Sequence, residues 1–253
     1  SEQITNVSAS GAAGGGSVAG AAAVETLNIT TKAFVGESAV IAADGSIRVA
    51  AQDDSTMNLI AGSGVAGLGA GGSVGAAVIT KNTEAYIDNN ADVQANASEA
   101  IDAATGKFTE QYSVSDKTTA DGVVTAPNLS TDDQYLSQTD NKDLLTKLRT
   151  AAAEKASFSG VAVTAMSKDS IANKAMSGVA GLGAAIAGSV SVVTNTTNAY
   201  VDNNAKVNQH NTNAAAGQDV RVAAGTDYYH LGVGGVAVVG AAGIGPGADI
   251  SVV

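Results

Sequence analysis

The chain has 253 residues, of which 45% are hydrophobic but only 4% aromatic, with 30 Gly, no Trp and no Cys. Its apolar content can bury a core, yet it is mostly Ala and Val, so the interior must be built from thin layers of small side chains. A formal net charge of −11 argues against nucleic acid and anionic membrane surfaces as partners, and the lack of Cys removes disulfides, thiolate metal sites and thiol nucleophiles together.

Ser1 falls inside a patterned stretch with no export signal before it, so both ends read as cuts in a longer protein. The first sign of a repeat is Ala33-Phe34-Val35-Gly36-Glu37-Ser38-Ala39, which matches Ala85 to Ala91 at an offset of 85 − 33 = 52. A stronger signal follows. Gly64-Val65-Ala66-Gly67-Leu68-Gly69-Ala70 recurs unchanged as Gly178 to Ala184, an offset of 178 − 64 = 114. Ala85-Tyr86-Ile87-Asp88-Asn89-Asn90-Ala91-Asp92-Val93 returns at that same offset as Ala199-Tyr200-Val201-Asp202-Asn203-Asn204-Ala205-Lys206-Val207. The period is therefore 52, and the longer step contains an insertion.

Each copy closes on a strand-like piece: Ile47 to Ala51, Ile101 to Ala104, and Val220 to Ala224. A fourth copy begins near Leu231 and is cut at Val253. Period-2 runs such as Val161-Ala162-Val163 and Val190-Ser191-Val192, punctuated by Gly, Asn and Asp, predict strands and turns. Such a unit buries its apolar face only by stacking on its neighbours. With coils of roughly 20 to 25 residues, each copy makes about two coils and the whole about eight to ten, a rod roughly 40 to 50 Å long at ~4.8 Å between strands.

Lys107 to Ser157 matches no other part of the chain. It opens polar around Pro127 and then predicts a short helix near 140–154, capped by Asp140, with Leu144, Leu145 and Leu148 on one face and Asp143 paired with Lys147. The expected organisation is thus β-repeats over 1–106, the insertion over 107–157 and repeats again over 158–253. Because an excursion is freer to vary than a stacked repeat, the insertion carries the candidate partner-binding residues Tyr112, Tyr135, Lys142, Lys147 and Arg149. The alternative is that it braces the stack and binds nothing.

The Gly/Ala/Val run, the following Thr80 to Ile87 or Thr194 to Val201, and the closing Val220-Arg221-Val222-Ala223-Ala224 resemble passenger repeats of large Gram-negative surface exoproteins. These are the filamentous-haemagglutinin-like, autotransporter and leukotoxin-type filamentous adhesins. The resemblance implies a mainly β fold, a right-handed parallel β-helix (β-solenoid) with one partly helical insertion, in a protein that is secreted and bound to the bacterial cell surface or outer membrane. It implies a role in adhesion or biofilm, with a host or bacterial surface protein or glycan as partner, and leaves self-association open. No cofactor is implied.

Several residue groups invite sharper readings. Asp88-Asn89-Asn90 with Asp92 has oxygen ligands at a spacing that could hold calcium, but the second copy keeps Asp202-Asn203-Asn204 and replaces Asp92 with Lys206, so a turn is expected instead and no metal site. Tyr86, Tyr200 and Phe34 could form a sugar-stacking row; their recurrence in one frame favours an aromatic stack within the rod. The Thr-rich runs are interrupted by Lys81, Asn82 and Asn195. His210 and His230 stand in no catalytic motif, and Asp53, Asp54, Asp132 and Asp133 read as solvated turn residues, so an enzyme is not expected; a glycan-active β-helical enzyme is the alternative. Uncharged runs over Ser55 to Thr80 and Ala175 to Val201 are long enough to cross a bilayer, but they are rich in Gly, Ser and Thr and lack flanking cations, which disfavours membrane insertion or an exotoxin segment.

Overall fold

The computed structural model describes residues 1–113, 124–125, 148–210 and 212–253, and these contain no helix. Three long strands dominate: β1 (Glu2–Val35), β3 (Ile47–Ile87) and β8 (Gly160–Val201). With β10 (Asp219–Ile244) they form one parallel sheet in the order β1-β3-β8-β10, and β11 (Gly247–Val252) continues the last level against β8. Short strands β2 (Val40–Ala43), β4 (Asp92–Ala95) and β9 (Lys206–Val207) stack in a second parallel sheet. The third sheet is antiparallel, built from β5 (Ile101–Ser113), β6 (Val124–Thr125) and β7 (Leu148–Phe158).

The two strong copies occupy equivalent positions. Every residue of β3 from Ile47 to Ile87 pairs with its counterpart in β8 from Val161 to Val201, with Gly64 on Gly178, Leu68 on Leu182 and Tyr86 on Tyr200. A slip of one residue would turn every inward side chain of a level outward, so the alternation excludes odd shifts, and the observed register sets like residues on like.

Each long strand folds back on itself. Asp53 and Lys81, equidistant from Gly67, are joined by an ion pair, and Ser167 and Asn195, equidistant from Gly181, by a hydrogen bond. The chain therefore runs out, turns at Gly67 or Gly181, and returns facing its own outbound half. Each copy is one circuit, whereas the sequence pattern suggested two. The stack has four levels, so its height is about 15 Å between outer strands at ~4.8 Å per step, and about 20 residues of outbound strand make it about 65 Å wide. It is a slab. Gly, read as punctuation, does not break the strands here because the parallel ladder between adjacent levels runs unbroken through the Gly-rich stretches.

The interior is thin. Alternate residues point inward, giving apolar clusters around Ile87, Val93 and Val163 near the base, Met57, Leu59, Ile79 and Ile171 in the middle, and Val65, Val179 and Ala185 near the fold point. Asn173 donates from Nδ2 to the carbonyls of Gly75 (3.2 Å) and Val190 (3.0 Å), and a Cβ on Gly75 would collide with its side chain. One side chain spans the gap between the two halves. The fold point itself is a column of glycines with positive φ: Gly14 (128°), Gly67 (110°), Gly181 (130°) and Gly240 (153°). A Cβ on Gly67, Gly181 or Gly240 would strike the backbone of the level next to it.

The opposite corner is the Asp-Asn-Asn segment, and it is a turn. Ala91 N–H donates to Asp88 O (3.3 Å) and Ala205 N–H to Asp202 O (3.3 Å), while the Asp88 and Asp202 carboxylates accept from the next N–H at 2.7 and 2.8 Å. Ser38, Asn90 and Asn204 adopt φ of 58°, 57° and 58°, so three levels repeat one left-handed corner.

Two expectations about the insertion change. Ile101 to Ala104 does not close a copy in the stack: it opens β5, which leaves the slab and pairs antiparallel with β7, while Val161 to Ala165 takes the position above Ile47 to Ala51. The helix expected near 140–154 is not seen, because Leu148 to Glu154 is strand, its Ala151, Ala152 and Ala153 paired with Glu110, Thr109 and Phe108. A partner strand overrides the helical preference of the Ala run. Leu144 and Leu145 lie outside the described residues. The fourth level starts at Asp219, earlier than the Leu231 of the sequence reading.

Replacing Gly181 by Ala should lower stability by about 1–3 kcal/mol, because Ala must hold a left-handed φ and meet the Gly67 backbone. Gly62→Ala, with open space around its Cα, should cost far less, and thermal melts followed by circular dichroism compare the two.

Candidate functional site

Three charged residues, Lys81, Asp53 and Asp169, converge inside the slab. Lys81 projects from the return half of the second level and is fully buried. Its Nζ lies 3.1 Å from Asp53 Oδ1 on the facing strand and 2.8 Å from Asp169 Oδ1 on the third level, and it donates to the Lys168 carbonyl at 3.3 Å. Asn195, which occupies the Lys81 position one level on, donates to Asp169 Oδ2 at 2.5 Å and to Ser167 Oγ at 3.0 Å. Thr31 donates to Asp53 Oδ2 at 3.2 Å, and Ser55 to Asp53 Oδ1 at 3.4 Å. Asp53 is thus an interior residue and not a solvated turn. Asp54, one residue on, faces outward, with its carboxylate 3.8 Å from Lys168.

Two carboxylates share one ammonium in a dry interior, and this sets the electrostatics. Burial pushes the Asp169 carboxyl above its usual range; donation from Lys81 and Asn195 and the Lys81 charge pull the other way, and the Asp53 charge adds to the rise. A carboxyl with raised pKa favours folding most at pH below the ordinary carboxylate range, and that contribution is lost as pH rises through the folded value. The cluster combines acids with a base on adjacent levels, but the Lys81 and Asp169 side chains are 0% exposed and present no surface to a polymeric glycan.

Outside, Phe34, Tyr86 and Tyr200 form a ladder up the return face with ring centroids 5.2 and 5.0 Å apart and interplanar angles of 9° and 1°. They stack on one another along successive levels, but on the outer surface and not within the rod as the sequence suggested, with Phe34 56% exposed. Since each inner ring face lies against a neighbour, the ladder offers edges rather than the open faces that sugars stack on. Beside it Lys32 and Glu84 pair at 2.8 Å, which raises the Lys32 pKa and lowers that of Glu84.

The base of the insertion is fixed to the slab's outbound face. Ala103, Phe158 and Ala162 form a small cluster, Arg221 lies 4.6 Å over the Phe158 ring, Arg48 donates to the Asp102 carbonyl at 2.8 Å and Lys168 to the Ala151 carbonyl at 3.1 Å. Between this base and the slab is a cleft of about 230 Å³ lined by residues including Arg48, Gln52, Lys155 and Thr164. Of the candidate partner residues, Tyr112 and Arg149 are backbone partners across β5 and β7; Tyr135, Lys142 and Lys147 lie outside the described residues, as do Asp132 and Asp133. His210 is exposed at the base corner, and His230 Nε2 lies 3.0 Å from Ser191 Oγ in the fourth level. Among the described residues, no three His, Cys, Asp or Glu are grouped to hold a metal, and no helix is long and apolar enough to cross a membrane.

Sequence reasoning missed the ionic cluster because Lys81 looked like an interruption of a Thr row. A signal existed. At the 114-residue offset Asp53 becomes Ser167 and Lys81 becomes Asn195, so an acid and a base vanish from the copy together, as partners would.

No family model, curated protein or solved structure matches this chain.

Lys81→Met leaves two buried carboxylates without their cation and should cost about 3–5 kcal/mol at pH 7. The loss should shrink as pH falls, because burial raises the Asp169 pKa and its protonation relieves the repulsion, and Asp169→Asn should flatten the wild-type dependence of melting temperature on pH.

Proposed function

We propose that the chain is a segment of a large secreted bacterial surface adhesin, folded as a right-handed β-solenoid whose repeats space and project binding regions. The observation that carries this reading is the residue-for-residue parallel stacking of β3 on β8, with the first and fourth levels added on either side. A stack in which each level is a template for the next can be lengthened without redesign, which suits a protein that must reach away from a cell. The lack of Cys and the net charge of −11 fit a chain exported unfolded and kept soluble outside the cell.

Binding belongs to the insertion in this reading, where Tyr112, Tyr135, Lys142, Lys147 and Arg149 would meet a surface protein or glycan. It leaves the slab between the second and third levels without disturbing their register, since β3 and β8 pair over their whole shared length. Its base braces the slab through Arg48 on the Asp102 carbonyl and Lys168 on the Ala151 carbonyl.

Two experiments test the two halves of the proposal. Two copies joined in tandem should scatter X-rays in solution as one particle about 19 Å taller per added four-level segment at ~4.8 Å per level; two independent particles on a linker would refute the spacer role. Excising residues 114–147 while keeping β5 and β7 should leave the melting temperature within a few degrees and abolish attachment of bacteria displaying the segment to host cells. Retained attachment would refute the binding role.

A further inference from the structure

The slab's two outer surfaces differ. On the return side, outward residues near the fold point are Val18, Gly20, Ala22, Val24 and Thr26 on the first level and Ala70, Gly72, Val74, Ala76 and Val78 on the second. Ala184, Ile186, Gly188, Val190 and Val192 follow on the third, and Ile244, Ala248, Ile250 and Val252 on the fourth. No charge interrupts this area. Val18 is 78% exposed, Ile186 60%, Val24 59% and Ile250 55%, while Val74, Val78 and Val190 are also open to solvent. In a chain carrying 13 Lys and Arg and 24 Asp and Glu, an uncharged patch spanning four strands calls for an occupant.

We propose that this face pairs with the same face of a second copy of the chain. Its relief is self-complementary. At its centre, between the second and third levels, large and small residues alternate: Gly72 lies beside Ile186, Val74 beside Gly188, and Ala76 beside Val190. A two-fold axis lying in the interface and parallel to the strands inverts the order of levels while keeping position along the strand, so Ile186 of one copy can meet the hollow at Gly72 of the other, and Val74 the hollow at Gly188. Size agrees with this. About nine residues along each strand and four levels cover roughly 550 Å² per copy by strand spacing, or about 1,100 Å² in a pair. That is the lower edge of specific protein interfaces and predicts reversible association at micromolar concentration.

Lipid is the competing occupant, and the composition of the face argues against it. Gly20, Ala22, Gly72, Ala76, Gly188 and Ala248 give hydrocarbon little side-chain area to bury, whereas the protrusions of a second slab can fill the hollows they leave. Sheets facing each other at about 10 Å also suit the small side chains present.

Sedimentation velocity on the chain from about 1 to 200 μM reads the result. A concentration-dependent dimer is expected, and Val74→Lys or Ile186→Asp should each raise the dissociation constant at least about tenfold, the scale of a charge buried against an apolar partner. Asn58→Lys, on the outbound face, should leave it unchanged. Both face positions are solvent-exposed, and melting curves report whether the variants fold; should either fail to, Val24→Thr and Val190→Thr keep the branched shape while adding a hydroxyl. A chain that stays monomeric throughout overturns the proposal. So does association that persists in the face variants, which would locate it at the strand edges, and so does flotation of the wild-type chain, but not Val74→Lys, with vesicles of neutral phosphatidylcholine.

Discussion

Everything in this molecule depends on the parallel ladder that joins each level to the next. A parallel ladder in exact register places residue on residue, so a side chain meets not an arbitrary neighbour but its own counterpart from another copy. Whatever a copy carries must then tolerate a column of itself. Apolar residues do so easily, and Ile87 on Val201 or Val65 on Val179 need no further arrangement. Aromatic rings do so by stacking, as Phe34, Tyr86 and Tyr200 show. Glycine at the fold point does so because nothing larger fits between successive backbones.

Charge is the exception, and the cluster around Lys81 shows how the constraint is met. A column of lysines or of aspartates would bury like charges directly against each other. The copies avoid this by differing where they carry charge. Asp53 lies under Ser167, Ser55 under Asp169 and Lys81 under Asn195, so each ionic group has a neutral polar one beside it between these two levels, and Lys81 pairs with Asp53 across its own level and with Asp169 diagonally on the next. Such a cluster contributes little net stability for the desolvation it requires, but it makes the second level distinguishable from the third. In a stack of near-identical units, a level that slipped onto the wrong neighbour would strand a buried carboxylate.

Much of this was legible in the sequence because the repeat is printed in it. The identical heptapeptide at Gly64 and Gly178 and the nonapeptides at Ala85 and Ala199 fixed which residues stack, and the αL tolerance of Asn and Asp identified the corner at Asp88 and Asp202. Circuit length was not legible, since a strand turning back at a single glycine leaves no composition change, and Gly67 stands among other glycines. The insertion misled for a different reason. Leu144 to Ala153 has a helical periodicity that is real as a local preference, but β5 lies close enough to pair with Ala151 to Ala153, and no pattern within the insertion announces that partner. Ile101 to Ala104 misled in the opposite sense, carrying the signature of a stacked strand into a sheet that leaves the stack.

The out-and-back circuit also bears on how the chain responds to tension. Consecutive levels are joined at the corner end of the slab, with the insertion added between the second and third, so a pull along the polypeptide is delivered across the ladder and opens it bond by bond from an edge, where shearing a whole strand at once would require far more force. Each level that detaches frees about 50 residues, on the order of 170 Å of extended chain at about 3.4 Å per residue, against a height of ~4.8 Å when stacked. A slab of this kind yields in long, discrete steps while the levels behind the opening edge remain intact, and it can close again on the template of the level that is still folded.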